Sequence, residues 1–121
     1  MRLFILFAMI FFHIVDDYYL QGILAKMKQK KWWEENAPDK MYRYDYIIAL
    51  IAHAFSWSFM ITIPTLLVSN EYYTMCTFMI FNTVIHAYVD HQKANKRCIN
   101  LFVDQLCHII QIIALWRAVV Y

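Results

Sequence analysis

Four apolar stretches, at residues 3–21, 46–68, 72–91 and 99–120, make up most of this 121-residue chain. A helix needs roughly 20 mostly apolar residues to cross a bilayer, and each stretch has about that length. A helix exposed to water keeps one polar face, and these runs have none wide enough. With 62% apolar and only 17% charged residues, the chain has too little polar surface for a soluble domain. The expected fold is all-α and polytopic, a single transmembrane domain over residues 1–121 built as a four-helix bundle. The first run follows Arg2 as a secretion signal would. No small-residue cleavage site follows it, however, and it passes into His13, Asp16 and Asp17, so it is expected to stay as the first helix.

Orientation follows from charge. Nine of the eleven basic residues lie in two connections: Lys26, Lys28, Lys30, Lys31, Lys40 and Arg43 in the first, and Lys93, Lys96 and Arg97 in the second. Basic short loops stay in the cytoplasm. Both connections are therefore expected there, in a bacterial inner membrane, with both termini outside. Residues 22–45 mix apolar, basic and aromatic residues, including Trp32 and Trp33, and suit a short interfacial helix on anionic lipid. Pro64 predicts a kink in the second helix, with Thr62 or Thr65 serving freed backbone groups. Cys76, Cys98 and Cys107 have no paired spacing and are expected as buried or reduced thiols.

Polar residues inside the apolar runs carry the chemistry. His13–Asp17, His86–Asp90 and Asp104–His108 are each four residues apart, and His53 stands alone on the second helix. Residues i and i+4 share a helix face, so each pair can aim at one point. Counted at 1.5 Å per residue, His13, His53 and His108 sit roughly 10–14 Å below the cytoplasmic boundary, with Asp17, Asp90 and Asp104 nearer that face. An Asp at mid-membrane costs about 2.5–3.5 kcal/mol on insertion scales. A divalent cation would offset much of that cost. His13, Asp17, His53, His86, Asp90 and His108 are the candidate metal ligands, and Asp104 is the candidate catalytic base or His-orienting carboxylate. Mixed His and carboxylate donors suit zinc first, then manganese or iron. Gln21 and Gln105 are expected to hydrogen-bond the ligands, and Asp16 to face water at the helix end. The rival readings of this layer are a metal-free His–Asp network and a proton or ion path. No phosphate loop or nucleic-acid module is present.

The segments H13-IVD-D17-YYLQ, a lone His53, H86-AYV-D90-HQK and D104-QLC-H108 resemble an uncharacterised family of small phage and bacterial membrane proteins. That family shows H-x3-D-x3-Q, a single His, H-x2-[IV]-D-x2-K and D-Q-x2-H in this order. More remotely, the layout is similar to membrane-bound metal-dependent hydrolases. The expected function is therefore a metal-dependent hydrolase acting on a lipid or lipid-linked substrate at the cytoplasmic leaflet, with membrane lipid as its partner. One alternative is a non-enzymatic phage membrane factor, for superinfection exclusion or a host-membrane complex, in which the site is structural. Another is a small ion or proton conductor, which would need a homo-oligomer.

Overall fold

The computed structural model describes residues 1–121, and every regular element in it is helical. Helix α1 (Arg2–Val15) continues into a π-helical turn, Asp16–Leu20. Two short helices follow, α2 (Leu24–Met27) and α3 (Lys30–Asn36). The long helices are α4 (Asp45–Thr62), which ends in a 3-10 turn at Ile63–Leu67; α5 (Tyr72–His91), which ends in a second π turn at Gln92–Lys96; and α6 (Leu101–Val120). Gly22, the sole glycine, has φ +50° where the chain leaves α1, a conformation that strains any side-chain-bearing residue.

Three helical stretches are both long and apolar enough to cross a membrane: Arg2–Leu20, Lys40–Leu67 and Leu101–Val120. The fourth expected span, α5, is a helix but is not among them. Helix α5 has 20 residues, but Asn82, His86, Asp90 and His91 dilute its apolar character.

The packing is polar inside and apolar outside. Of the 27 buried residues, 13 are polar or charged, whereas Phe7, Phe11, Ile48, Phe55, Phe81 and Phe102 face outward. The interior has two halves. Around the chain termini, Ile5, Met9, Trp57, Ile61, Met75, Ile112 and Leu115 form an apolar core, and Trp116 ties α6 to α1 through its indole N–H on the Arg2 carbonyl, 3.0 Å. Towards the basic connections, the interior is made of histidine, aspartate and amide side chains.

Local chemistry explains the irregular turns. Pro64 cannot continue the α-helical ladder, so α4 tightens into a 3-10 turn. There the Thr62 hydroxyl donates to the Ser58 carbonyl (2.8 Å) and the Thr65 hydroxyl to the Thr62 carbonyl (2.6 Å). At the other end, the single interfacial helix expected over residues 22–45 is broken at Lys28 and Gln29. Gln29 is extended (φ −96°, ψ 121°), and the break turns the Lys28 side chain into the bundle. The cysteines are free, as expected of unpaired thiols, but Cys76 and Cys98 are exposed rather than buried. Cys76 lies on the outer surface of α5, where a small polarizable side chain costs little in an apolar environment.

Candidate metal centre

Six side chains from α4, α5, α6 and the π turn after α1 converge in the polar half of the core. Nε2 of His53 (α4) is 3.2 Å from Nε2 of His86 (α5), 3.2 Å from Oδ1 of Asp17 and 3.5 Å from Oδ2 of Asp90. Nε2 of His86 lies 3.8 Å from the same Asp90 oxygen. Asp90 turns its other oxygen, Oδ1, toward Nε2 of His108 on α6 at 3.8 Å, and Oδ1 of Asp104 is 3.4 Å from that nitrogen. The rings of His86 and His108 stack with centroids 4.0 Å apart. All six residues are buried.

These separations suit a metal. Bonds of 2.0–2.1 Å in a tetrahedral shell put ligand atoms about 3.3 Å from one another. Two groups meet the requirement of mutual closeness: Asp17, His53 and His86, with donor atoms all within 4.8 Å of one another, and His86, Asp90 and His108, likewise. Nε2 of His108 and Oδ1 of Asp104 face each other, yet neither has a hydrogen-bond partner. Buried polar atoms are rarely left so. Nose-to-nose imidazole nitrogens and an orphaned His–Asp pair are what a ligand set looks like when hydrogen bonds alone do not satisfy it.

His13 is placed differently from the other histidines. The Trp57 indole donates to its Nδ1 at 2.7 Å, which leaves the ring proton on Nε2, 3.1 Å from Oε1 of Gln105. Both nitrogens are used, and His13 belongs to neither group of mutually close donors. The chain of donors then continues: the Gln105 amide nitrogen donates to Oδ2 of Asp17 (3.1 Å) and to Oδ2 of Asp104 (3.0 Å). Trp57, His13 and Gln105 therefore aim two carboxylates from behind. Gln105 has the helping role expected of it, whereas Gln21 reaches only the Asp17 backbone carbonyl.

Asp104 faces Nε2 of His108, the nitrogen that also faces Asp90. Gln111, by contrast, puts Oε1 3.4 Å from the opposite nitrogen, Nδ1, and its amide nitrogen donates to Asn82. A residue that orients a ligand histidine sits on the far nitrogen. Gln111 has that position, whereas Asp104 faces Nε2 and, like His13, belongs to neither group of mutually close donors.

Asp16 corrects a second expectation. Only 1% of it is exposed. The π turn hydrogen-bonds Gln21 N–H to the Asp16 carbonyl five residues back, and this wider turn lets two successive residues face inward. Ser56 donates to Oδ1 of Asp16 at 2.6 Å, and its Oδ2 lies 3.8 Å from Nδ1 of His53.

Two lysines close the cluster on its basic side. Lys28 Nζ is 2.6 Å from Oδ2 of Asp90, and Lys93 Nζ is 2.7 Å from Oδ2 of Asp104. Burial pulls the Lys93 ammonium down, but the hydrogen bond and charge of Asp104, with Asp90 and Asp17 behind, hold it above the usual lysine value.

Fold and site together define an all-helical protein with an apolar exterior, apolar helices of membrane-crossing length, and His/Asp groups of metal-binding geometry at its core. The chain belongs to the family described as "Protein of unknown function (DUF3307)", whose model matches residues 5–121. No curated protein and no solved structure matches it.

Proposed function

We infer that this chain is a four-span integral membrane protein whose core binds divalent transition metal, zinc foremost. The observation that carries the reading is the convergence of three Nε2 atoms, from His53, His86 and His108, with oxygens of Asp17, Asp90 and Asp104 on four different helices. Helix α5 serves as the fourth span. Its polar residues Asn82, His86 and Asp90 are buried, while Ile80, Phe81, Val84 and Ile85 are exposed. Its mean hydropathy therefore understates how apolar its lipid-facing surface is. The basic connections lie on the cytoplasmic side, in line with the positive-inside rule.

The reaction class this arrangement favours is hydrolysis of a lipid-linked phosphoester at the cytoplasmic leaflet. Its support is the pair of ammonium groups, Lys28 and Lys93, bound to the cluster from the basic side. A divalent ion supplies Lewis acidity and lowers the pKa of water, and neighbouring ammonium groups suit phosphate oxygens. Asp104, with Oδ1 3.4 Å from Nε2 of His108, is proposed as a further ligand in place of the base role expected of it.

One observation favours a second reading, a purely structural metal. None of the principal surface cavities is lined by a residue of the cluster, and structural sites are closed. Metal analysis of protein purified in mild detergent tests the shared premise, and below about 0.2 equivalents per chain the metal reading fails. Given metal, phosphate release from lipid-linked phosphoesters in liposomes by wild type, and not by His53→Ala, supports the hydrolase. Full metal content with no turnover over a panel of such lipids leaves the structural reading.

A further inference from the structure

We propose that the centre holds two divalent ions, with the Asp90 carboxylate bridging them and with Lys28 as a cation that the first ion displaces from Oδ2 of Asp90. This rests on the metal-binding reading above and specifies its stoichiometry and ligands.

The first ground is how Asp90 is oriented. Oδ2 faces His53 and His86 at 3.5 and 3.8 Å, and Oδ1 faces His108 at 3.8 Å. A carboxylate aimed at one ion has no reason to divide its oxygens between two sets of histidines. Each set also has a carboxylate of its own: Asp17 lies 3.2 Å from His53, and Asp104 lies 3.4 Å from His108. The first position is then Asp17, His53 and His86 with Oδ2 of Asp90 beside them, and the second is Oδ1 of Asp90 and His108, with Asp104 added by its 3.4 Å approach to His108. His86 is common to both groups of mutually close donors. Its Nε2 can serve one ion only, and the 3.2 Å approach to His53 assigns it to the first position.

The second ground is the orphaned atoms. An ion in the first position alone would still leave Nε2 of His108 and Oδ1 of Asp104 buried and without partners. A second ion satisfies both at once.

The third ground is charge. Asp16, Asp17, Asp90 and Asp104 are all buried, and two ammonium groups, one beside each position, neutralise half of their four negative charges when ionised. The charge left over favours further cations in the cluster. Lys28 enters the cluster from the break between α2 and α3, and the Lys93 side chain is 36% exposed.

The test is zinc stoichiometry by elemental analysis on full-length protein in detergent after dialysis against excess zinc. Two equivalents per chain are expected. A plateau at one overturns the two-ion centre while leaving the metal-binding reading intact, and a plateau near zero removes both. Asp104→Asn should lower the count from two to one; a count still at two takes Asp104 out of the ligand set and overturns the second position. Loading wild type with manganese gives an independent reading that needs no variant. Carboxylate-bridged ions are expected to give an exchange-coupled electron paramagnetic resonance signal, and two isolated-ion signals would overturn the Asp90 bridge.

Discussion

Lys28 Nζ lies 2.6 Å from Oδ2 of Asp90, 62 residues further along the chain, with 12% and 3% of the two side chains exposed. A lysine from an interfacial connection thus reaches an aspartate that also faces two histidines. An ammonium group and a metal ion cannot both take the same carboxylate oxygen at bonding distance, so the two compete. Lys28→Met removes one competitor and keeps the apolar stem of the side chain. We expect zinc affinity to rise by on the order of tenfold, equivalent to about 1.4 kcal/mol, in competition with a chromogenic chelator. An unchanged or weaker affinity would mean that Lys28 supports the site and does not compete for it.

His13 separates ligands from supporters. Its two nitrogens are engaged by Trp57 and Gln105, so His13→Gln should keep most of the bound metal, whereas His53→Ala should lose at least the ion to which His53 contributes. Elemental analysis of the two variants side by side decides the point. Metal loss in His13→Gln as deep as in His53→Ala would place His13 among the ligands.

Trp57 joins the two halves of the core. Its ring stacks on His86 with centroids 4.3 Å apart, and its N–H satisfies a buried nitrogen of His13. Trp57→Phe keeps most of the stacking surface but leaves that nitrogen unpaired, at a cost of about 1–3 kcal/mol. Thermal unfolding in detergent should show a lower midpoint, and an unchanged midpoint would remove the hydrogen bond from the stability account.

How much of this was legible in the sequence depends on the range over which each signal acts. The long helices and the His–Asp faces follow from local periodicity, and two of the three i, i+4 pairs meet in space, His86 with Asp90 and Asp104 with His108, whereas His13 reaches Asp17 through Gln105. Asn82 and Gln111 lie at that same kind of spacing, four residues before His86 and three after His108, and extending the pattern to amides would have found them. Asp16 was misplaced because the α-helical period was carried through a turn that widens to a π-helix, which the letters D-D-Y-Y-L do not announce. Lys28 was beyond sequence reasoning, since nothing local distinguishes it from Lys26 or Lys30; only the break at Gln29 and the distant Asp90 single it out. Helix α5 was read as a span from its length, and its buried Asn82, His86 and Asp90 are what lower its mean hydropathy.

Asp16 supplies the last prediction. Its carboxylate lies on the Nδ1 side of His53, opposite the nitrogen that faces Asp17, His86 and Asp90, and Ser56 fixes its other oxygen. A carboxylate behind a ligand histidine holds the ring's orientation and makes it a better donor, and its loss typically weakens metal binding by about 10–100-fold. At 3.8 Å the Asp16 contact is long, so the lower end of that range is expected. Asp16→Asn should therefore weaken zinc binding by about tenfold without lowering the count at saturation, because no ligand atom is removed. Ser56→Ala should act in the same direction and more weakly, since it frees Asp16 without discharging it. A reduced count at saturation in Asp16→Asn would instead show that Asp16 binds metal directly, and an affinity equal to that of wild type would show that His53 is oriented by other means.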